Sequence, residues 1–305
     1  MLKGIVPTDG LELERSGRRF FAPLDIDSLA SIYVHNPQAT ILAGGTDVGL
    51  WVTKQHCELE TVIYTGRVAE LGELAVTSTH IEVGAAVTLA DAIPVIVQHY
   101  PGLDELFRRF ASPPIRNAAT LGGNIANGSP IGDSMAALMV AGASLLLRRG
   151  DRERELALDE FYHDYQVNDL DEGEFLVCIR IPLPESGAIV SSQKWSKRFD
   201  QDISAVCTAY RLELDGGTVK SFRMACGGLA VVVKRAAHCE AALAGQPWNE
   251  QTVEKGCSAL AKDFTPISDM RASADMRLKV VQNLLRRLFH ETSGEPPERV
   301  YTYGR

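Results

Sequence analysis

The chain has 305 residues, of which 45% are hydrophobic and 23% charged, and its formal net charge at pH 7 is −8. The length favours two domains, and the composition is that of an ordinary globular protein. The acidic balance argues against nonspecific nucleic-acid binding, and no apolar run reaches the ~18 residues that a membrane span needs.

Residues 1–18 are interpreted as a linker-like tail, because glycines and a proline are scattered among charges. They lack the basic-then-apolar layout of a signal peptide, so we expect a cytoplasmic protein. From residue 19 to 184, short strands alternate with helices and form the predicted first domain. Its first elements are a helix at 28–35, a strand at 40–43, a helix at 47–54, strands at 61–64 and 81–87, and helices from 88 to about 101 and at 104–110.

A glycine-rich segment, ILAGGTD at residues 41–47, connects the strand at 40–43 to the following helix. Glycine has no Cβ and adopts positive φ, so several successive backbone N–H groups can converge on one anion. The start of a helix adds unsatisfied N–H groups and the positive end of the helix dipole. The segment therefore predicts a phosphate site that needs no lysine.

A second glycine-rich segment, ATLGGNIANGSPIGD at residues 119–133, comes after two prolines that end the preceding helix. Its Asn and Asp side chains can bind hydroxyl groups, and Pro130 is predicted to open a helix that runs to about residue 141. Neither segment has the G-x-G-x-x-G spacing of a dinucleotide-binding Rossmann unit or the G-x-x-x-x-G-K-[ST] spacing of a P-loop. A plain tight turn is the alternative interpretation of each glycine pair.

A break at residues 181–187, with two prolines and a glycine, follows a predicted strand at 174–181 and separates the two domains. The second domain, 188–292, begins with strand-like runs at 189–195, 205–214 and 219–226. The last two are joined by a hairpin turn, Asp215-Gly216-Gly217. A helix at 276–290 is predicted from apolar residues at positions 281, 284, 285 and 288. An antiparallel sheet backed by helices predicts an α+β fold, with residues 293–305 as a tail.

Three motifs together resemble the FAD-loop signatures of the flavin-binding subunits of molybdenum hydroxylases. They are LAGGTDVG at 42–49, IRNAATLGGNI at 115–125 and SPIGD at 129–133. KWSKRFDQDI at 194–203 resembles a fourth signature of that family, and Gly227-Gly228 resembles its later glycine turn. The resemblance covers residues 20–290 and is nearest to the bacterial xanthine dehydrogenase type. It implies a two-part α+β FAD-binding fold of the vanillyl-alcohol-oxidase (PCMH) type, followed by a C-terminal domain of the molybdenum-hydroxylase flavoprotein type.

The resemblance also implies which residues bind FAD. The first loop would bind the pyrophosphate, and the second would bind the ribityl chain or the adenosine ribose. Asp47 can in addition cap the following helix, and a helix cap is the alternative role for Ser129. The implied cofactor-binding residues are Leu42, Ala43, Gly44, Gly45, Thr46, Asp47, Phe110, Ala119, Thr120, Gly123, Asn124, Ser129, Asp133, Leu176 and Lys194.

Three of these positions have more specific implied roles. Phe110 matches an aromatic residue that covers the isoalloxazine ring, and Leu176 matches a residue whose backbone contacts the flavin. Lys194 matches a lysine near the pyrimidine end of the flavin, where a cation would stabilise negative charge on the reduced ring. Without the resemblance, Phe110 would be interpreted as a core residue and Lys194 as a solvated one. Phe199 and Gln201 depart from the charged pattern of the family, so the choice of electron acceptor stays open.

The resembled enzymes pass electrons through two iron–sulfur clusters, which need cysteines close together in sequence. The six cysteines of this chain form no C-x-x-C pair and have no cluster spacing. We therefore expect the iron–sulfur and molybdopterin-binding parts on other domains or chains, and this chain as a flavin fragment or a separate subunit of a hetero-oligomer. The histidine spacing and the lack of a G-x-S-x-G elbow predict neither a metal site nor catalytic side chains of its own.

The function that the resemblance implies is electron transfer from those clusters through FAD to NAD+, as in a xanthine dehydrogenase. Three alternatives stay open. The same type of subunit serves carbon monoxide dehydrogenases and aromatic-CoA reductases, which use other acceptors. The chain could also be an interaction module that has lost the flavin, or a stand-alone flavin reductase or dehydrogenase with its own substrate.

Overall fold

The structure, a computed structural model, describes residues 8–294, so parts of both predicted tails, residues 1–7 and 295–305, lie outside it. The described residues form two units. The first unit consists of the residues up to 99 together with 111–128 and 142–183. The second consists of residues 100–110, 129–141 and those from 184 onward.

The strands, in chain order, are β1 (Leu11–Arg15), β2 (Arg18–Ala22), β3 (Thr40–Leu42), β4 (Thr61–Tyr64), β5 (Leu74–Val76), β6 (His80–Gly84), β7 (Ser144–Arg149), β8 (Arg152–Ala157), β9 (Tyr162–Asp164), β10 (Val167–Asn168), β11 (Phe175–Pro182), β12 (Ile189–Trp195), β13 (Val206–Asp215), β14 (Thr218–Gly227) and β15 (Lys234–Arg235). The α-helices are α1 (Ile26–His35), α2 (Val48–Thr53), α3 (Leu89–His99), α4 (Asp104–Arg109), α5 (Pro113–Arg116), α6 (Leu121–Asn127), α7 (Asp133–Ala141), α8 (Ala237–Leu243), α9 (Glu250–Asp263) and α10 (Ala274–Thr292).

Two sheets and a small hairpin make up the strands of the first unit. In the four-stranded sheet, β1 is antiparallel to β2, and β4 lies between β2 and β3 and runs parallel to both. The five-stranded sheet is antiparallel throughout, in the order β5-β6-β11-β7-β8. Its strand β7 buries Leu145 and Leu147 completely, as expected of alternating residues on a half-buried strand. One core cluster of this unit gathers Phe21, Leu29 and Ile63 from different elements.

The segment interpreted as a linker-like tail contains the strand β1, which pairs with β2 residue by residue. Their two-residue turn is Ser16-Gly17, and both residues have positive φ, 53° and 77°. Two-residue hairpin turns of this kind require positive φ. All five residues of β1 are exposed, so the strand has no buried apolar face to reveal it. The Ser-Gly turn was the available signal in the sequence.

The strands of the second unit form one antiparallel sheet in the order β12-β13-β14-β15. The three predicted strands are confirmed, and β15 adds a fourth, of two residues. Gly216 and Gly217 form the predicted turn between β13 and β14, with φ values of 54° and 83°. A side chain with a Cβ is strained in this conformation, which is why the turn carries two glycines.

The helices α8, α9 and α10 belong to the second unit. The predicted apolar face of α10 is confirmed, since all four of its residues are buried. The helix begins earlier than predicted because the side chain of Ser273 accepts a hydrogen bond from the Met276 backbone N–H and caps it. The α-helices and the sheet share one core, in which Tyr210, Leu260 and Leu285 are fully buried. The α+β prediction is confirmed.

The helix α7 begins at Asp133, whereas the sequence predicted a start at Pro130. The Gly132 N–H donates to the Ser129 carbonyl at 2.9 Å, so residues 129–132 form a turn and Ser129 does not cap the helix. All nine residues of α7 are buried, and the helix contacts β13 and β14. This packing places residues 129–141 in the second unit, although the predicted first domain contained them. Residues 100–110 were also part of the predicted first domain, but they belong to the second unit, where α4 contacts β12.

Two further boundaries differ from the prediction. β6 ends at Gly84 and does not reach Val87, because the Val87 N–H donates to the Gly84 carbonyl in a turn, at 3.0 Å. Pro113 starts the short helix α5, where a proline loses no intrahelical hydrogen bond. Within residues 8–294, no helix is both long enough and apolar enough to cross a membrane.

Candidate functional site

A cavity of about 480 Å³ in the first unit is lined by both glycine-rich segments. Its volume lies within the range of about 300–1,000 Å³ that is typical of small-molecule sites. Its walls include the loop after β3, the start of α2, the helix α6, the turn between β9 and β10, and the start of β11. The cavity is therefore the place in this unit where a cofactor would bind.

The first loop is shaped by two glycines that no other residue could replace without strain. A Cβ added to Gly44 would overlap the backbone carbonyl of Ala118. The first loop and the segment that leads into the second one therefore approach each other more closely than a side chain would permit. Gly45 has a φ of 69°, a conformation that favours glycine.

Consecutive backbone donors line the cavity at this loop. Within residues 8–294, no hydrogen bond is made by the backbone N–H groups of Gly44, Gly45, Thr46 and Asp47. Such donors normally find a partner in protein, water or a ligand, because leaving them unpaired is costly. The helix that follows, α2, has only six residues, so its dipole is small. The affinity for anions predicted for this loop therefore rests on the backbone donors.

The second loop leads into α6 through a side-chain cap. The Thr120 hydroxyl accepts a hydrogen bond from the Gly123 N–H at 2.9 Å. A Cβ added to Gly122 would lie 2.5 Å from the carbonyl oxygen of Ala85, so this glycine also permits a close backbone approach. Asn124, one turn into the helix, lines the cavity together with Thr120 and Gly123.

The charges around the cavity are unusual for a phosphate site. None of its lining residues within the described chain is a lysine, arginine or histidine. Two are acidic. Asp47 was expected to cap α2, but it makes no cap bond and accepts instead from the Trp51 indole N–H at 3.2 Å. Glu174, with a side chain 4% exposed, accepts two hydrogen bonds from Arg154, at 2.8 and 2.7 Å. An anionic ligand would be bound by neutral donors, near carboxylates that already have partners.

Arg154 links Glu174 to a second carboxylate, Asp169, at 2.7 Å. Burial alone would raise the pKa of Glu174, but the hydrogen bonds from Arg154 and from the Asp171 backbone N–H, together with the charge of Arg154, outweigh this effect and lower the pKa. Hydrogen bonds from Arg154 and then from His163 lower the pKa of Asp169. Both carboxylates are therefore charged at neutral pH, and they in turn raise the pKa of Arg154.

We expect the free energy of unfolding to fall as the pH drops from about 5 towards 3, in part because of this cluster. A carboxyl group whose pKa is lowered in the folded state stabilises the fold above its unfolded pKa, and this contribution is lost as the pH falls through the folded pKa. Urea denaturation at a series of pH values measures the effect. The variant Arg154→Gln should be less stable near neutral pH, by roughly 1–3 kcal/mol, because two carboxylates lose their partner.

The control for this experiment is Arg152→Gln, which changes an exposed arginine of the same strand. It should behave as the unmodified chain does. In the acid range, the free energy of unfolding of Arg154→Gln should depend less steeply on pH than that of the unmodified chain or of Arg152→Gln. An equal dependence in all three proteins would contradict the role assigned to Arg154.

Ten of the fifteen predicted site residues line the cavity: Ala43, Gly44, Gly45, Thr46, Asp47, Ala119, Thr120, Gly123, Asn124 and Leu176. Leu42 is the last residue of β3, and its carbonyl accepts from the Thr65 N–H at 2.9 Å. The other four, Phe110, Ser129, Asp133 and Lys194, belong to the second unit.

Asp133 and Lys194 form a buried ion pair within the second unit. The Lys194 Nζ lies 2.6 Å from the Asp133 Oδ2, and the two side chains are only 3% and 2% exposed. The Ser204 hydroxyl donates to the other carboxylate oxygen at 2.5 Å. The alternative interpretation of Lys194 as a solvated surface residue is therefore wrong.

The segment at 196–203 is held by Arg109 of α4. Its Nε donates to the Phe199 carbonyl at 2.8 Å and its Nη1 to the Lys194 carbonyl at 2.9 Å. The guanidinium carbon also lies 4.4 Å from the centre of the Phe199 ring. Phe199, which departs from the charged pattern of the family, thus packs against a buried cation. Asp202 accepts from the Arg198 backbone N–H at 2.9 Å, which supports a structural role for it.

Sequence reasoning missed several residues that line the cavity, among them Tyr33, Trp51, Gln166 and Glu174. Trp51 had a signal, since it follows Asp47 by one helical turn. Gln166 had none, because the hairpin of β9 and β10 is too short to be found by periodicity. Its backbone has a φ of 57°, in the turn of that hairpin.

The residues that line the cavity fit FAD. Gly44 and Gly45 keep side chains away from the row of backbone donors, which leaves room for a pyrophosphate there. Apolar side chains of Ile41, Leu71 and Phe175 line the same cavity and suit a ring. Within residues 8–294 there is no group of three or more His, Cys, Asp or Glu residues that could hold a metal ion.

Two domain families match the sequence. The family described as "FAD binding domain in molybdopterin dehydrogenase" matches residues 14–184, and that described as "CO dehydrogenase flavoprotein C-terminal domain" matches residues 191–292. The first match alone covers more than half of the chain.

Most of the chain is also similar to individual proteins of these enzyme types. The putative xanthine dehydrogenase FAD-binding subunit of Escherichia coli is 30% identical over 265 residues, which are 86% of this chain and 91% of that protein. The xanthine dehydrogenase of Emericella nidulans is 28% identical over 261 residues, which are 81% of this chain but 19% of that longer protein. Among solved structures, a chain of the carbon monoxide dehydrogenase from Hydrogenophaga pseudoflava superimposes with a TM-score of 0.83 at 25% identity, covering 90% of this chain and 96% of its own. The expected type of fold is confirmed.

Proposed function

Because the chain belongs to the FAD-binding subunits and domains of the molybdenum hydroxylases, we propose that it is the electron-transfer module of a xanthine dehydrogenase-like complex, with NAD+ as the electron acceptor. FAD, when bound, supplies the redox chemistry, since it accepts electrons and passes them on as a hydride. The role of the protein is to bind the cofactor, to orient it and to determine the charges around it.

The observation that carries the proposal is the row of backbone donors from Gly44 to Asp47. These N–H groups would hold the pyrophosphate oxygens, and no long side chain would lose conformational freedom in doing so. Asn124 offers both a donor and an acceptor in the same cavity, so we assign it to a hydroxyl of the ribityl chain or the ribose. We assign a backbone contact with the flavin to Leu176.

Phe110, Ser129, Asp133 and Lys194 stay predicted contacts of the cofactor. The Lys194 ammonium has three N–H donors, of which the bond to Asp133 uses one. A donor to the flavin is therefore chemically available in spite of the ion pair. Because Asp133 balances the charge of Lys194, the lysine would act on the flavin through a hydrogen bond more than through net charge.

The electrons would come from iron–sulfur clusters and a molybdopterin centre on partner domains or chains. The relative from Escherichia coli is named as an FAD-binding subunit, and this chain matches only 19% of the longer xanthine dehydrogenase of Emericella nidulans. Both facts support a division of the complete machinery into parts, of which this chain matches the flavin-binding one.

NAD+ should reoxidise the reduced complex, and mixing experiments without oxygen test this. The reduced complex is mixed rapidly with NAD+ or with a quinone, and the flavin absorbance is followed. We expect reoxidation by NAD+ at a rate that accounts for turnover. As a control, a complex carrying Asn124→Ala should keep its partners but lose FAD and its reactivity towards NAD+.

A second candidate is favoured by the match of residues 191–292 to the carbon monoxide dehydrogenase flavoprotein domain. In that case the same cavity would bind FAD, but the acceptor would differ. Reoxidation by the quinone and not by NAD+ would support this candidate, or an aromatic-CoA reductase type of enzyme. If the reconstituted chain shows no flavin absorbance, both candidates fail and the cofactor-free interaction module remains.

A further inference from the structure

Trp51 is the one tryptophan that lines the cavity within the described residues. It lies on α2, a helix without any buried residue, whose neighbouring side chains Leu50 and Val52 are 47% and 46% exposed. The two aliphatic side chains are exposed and the indole is half-buried, so this short helix gains little from packing within the chain. The indole is thus available to a ligand in the cavity.

The indole is also held in place. Its N–H donates to the Asp47 Oδ2 at 3.2 Å, across one helical turn. Asp47 stands at the N-cap position of α2, where its side chain could instead have bonded a free backbone N–H. A cap bond of that kind stabilises a helix, and here the carboxylate does not form it. The bond to the indole therefore fixes the orientation of the ring at some cost to the helix.

The two ring systems of FAD make different demands on a site. Adenine has no redox role and can be enclosed, whereas the isoalloxazine must exchange electrons with partners and so needs an accessible end of the site. The buried aromatic and aliphatic lining of the cavity includes Leu71 and Phe175, which are 1% and 4% exposed. Trp51 lies on the exposed helix instead. Its position suits the isoalloxazine ring better than adenine.

We propose that Trp51 packs against the isoalloxazine ring of FAD and that Asp47 positions the indole for this contact. The proposal rests on the binding of FAD in the cavity, as set out above. An aromatic ring in van der Waals contact with the flavin would add binding energy through stacking and would exclude water from one side of the ring. An indole is also a good electron donor, so it should quench the fluorescence of a flavin that it touches.

Fluorescence of the FAD-loaded chain tests the contact without any enzyme assay. We expect FAD bound to the unmodified chain to be weakly fluorescent, and FAD bound to Trp51→Leu to be several times brighter. The loss of stacking should weaken FAD binding by about 3- to 10-fold. Trp51→Phe keeps an aromatic ring and should retain most of the affinity. Leu50→Ala, an exposed position on the same helix outside the cavity lining, is the matched control and should change neither property.

Titration with ADP in place of FAD distinguishes the two ring systems. ADP carries the adenine and the pyrophosphate but no flavin, so its affinity should be the same in Trp51→Leu and in the unmodified chain. An equal loss of ADP and FAD affinity would mean contact with adenine and would overturn the proposal. Unchanged flavin emission in Trp51→Leu would overturn it while leaving the FAD site intact. If the unmodified chain binds no FAD, the proposed function and this inference fail together.

Discussion

Gly44→Ala is expected to abolish most FAD binding. The added methyl group would overlap the carbonyl of Ala118, so the first loop has to move away from the segment that precedes the second one. Overpacking of this kind typically costs about 1–3 kcal/mol, which corresponds to a roughly 5- to 150-fold weaker affinity if the cost falls on the bound state. Equilibrium titration of the flavin-free chain with FAD measures the change.

The matched control is Gly49→Ala, five residues further along. Gly49 lies in α2 with no atom close to an added Cβ, and its φ is not positive. Alanine is the better helix former, so this variant should fold as well as the unmodified chain or slightly better. An affinity for FAD that is equal in the two variants would contradict the assignment of the first loop to the pyrophosphate.

Lys194→Met should destabilise the second unit strongly, by about 3–5 kcal/mol. The substitution removes one partner of an ion pair whose side chains are both nearly inaccessible to water, and it leaves the Asp133 carboxylate buried without its cation. Ser204 alone cannot compensate a full charge. Urea denaturation of the flavin-free chain measures the effect apart from any loss of cofactor contacts.

Two further variants isolate the buried charge as the cause. The double variant Lys194→Met with Asp133→Asn has no unpaired buried charge, so it should be more stable than Lys194→Met alone. Lys197→Met changes a lysine in the neighbouring exposed segment and should alter the free energy of unfolding by less than about 0.5 kcal/mol. A Lys194→Met variant as stable as Lys197→Met would show that the pair contributes little.

Much of the fold follows from local sequence. The strands β4 and β12 have the predicted ends, and the hairpin between β13 and β14 was marked by two glycines. β1 was missed because its pairing with β2 buries none of its own residues, so no apolar pattern marks it. The start of α7 was misplaced because proline favours a helix start, whereas the turn at 129–132 depends on a backbone hydrogen bond that the sequence does not show.

The parts of the candidate site that are formed by the backbone could be predicted from the sequence. The parts that depend on tertiary contacts could not. The paired glycines marked both loops, since few other residues permit such close approaches. The partners of the charged residues were not visible. Asp133 and Lys194 are 61 positions apart, and only the packing of α7 beside β12 brings them together. Similarly, Arg154 lies on β8 and Glu174 directly before β11, and these two strands are not adjacent in their sheet.

The unpaired N–H groups from Gly44 to Asp47 belong to the main chain, so almost every amino acid carries the same donor. Truncating side chains one at a time would leave these donors in place, and an alanine scan would report Thr46 and Asp47 as dispensable for anchoring a phosphate. What has to be preserved at this loop is a path of the backbone and not a set of functional groups. As far as the phosphate alone is concerned, selection can therefore change the side chains of this loop, provided that the two glycines preserve the path of the backbone.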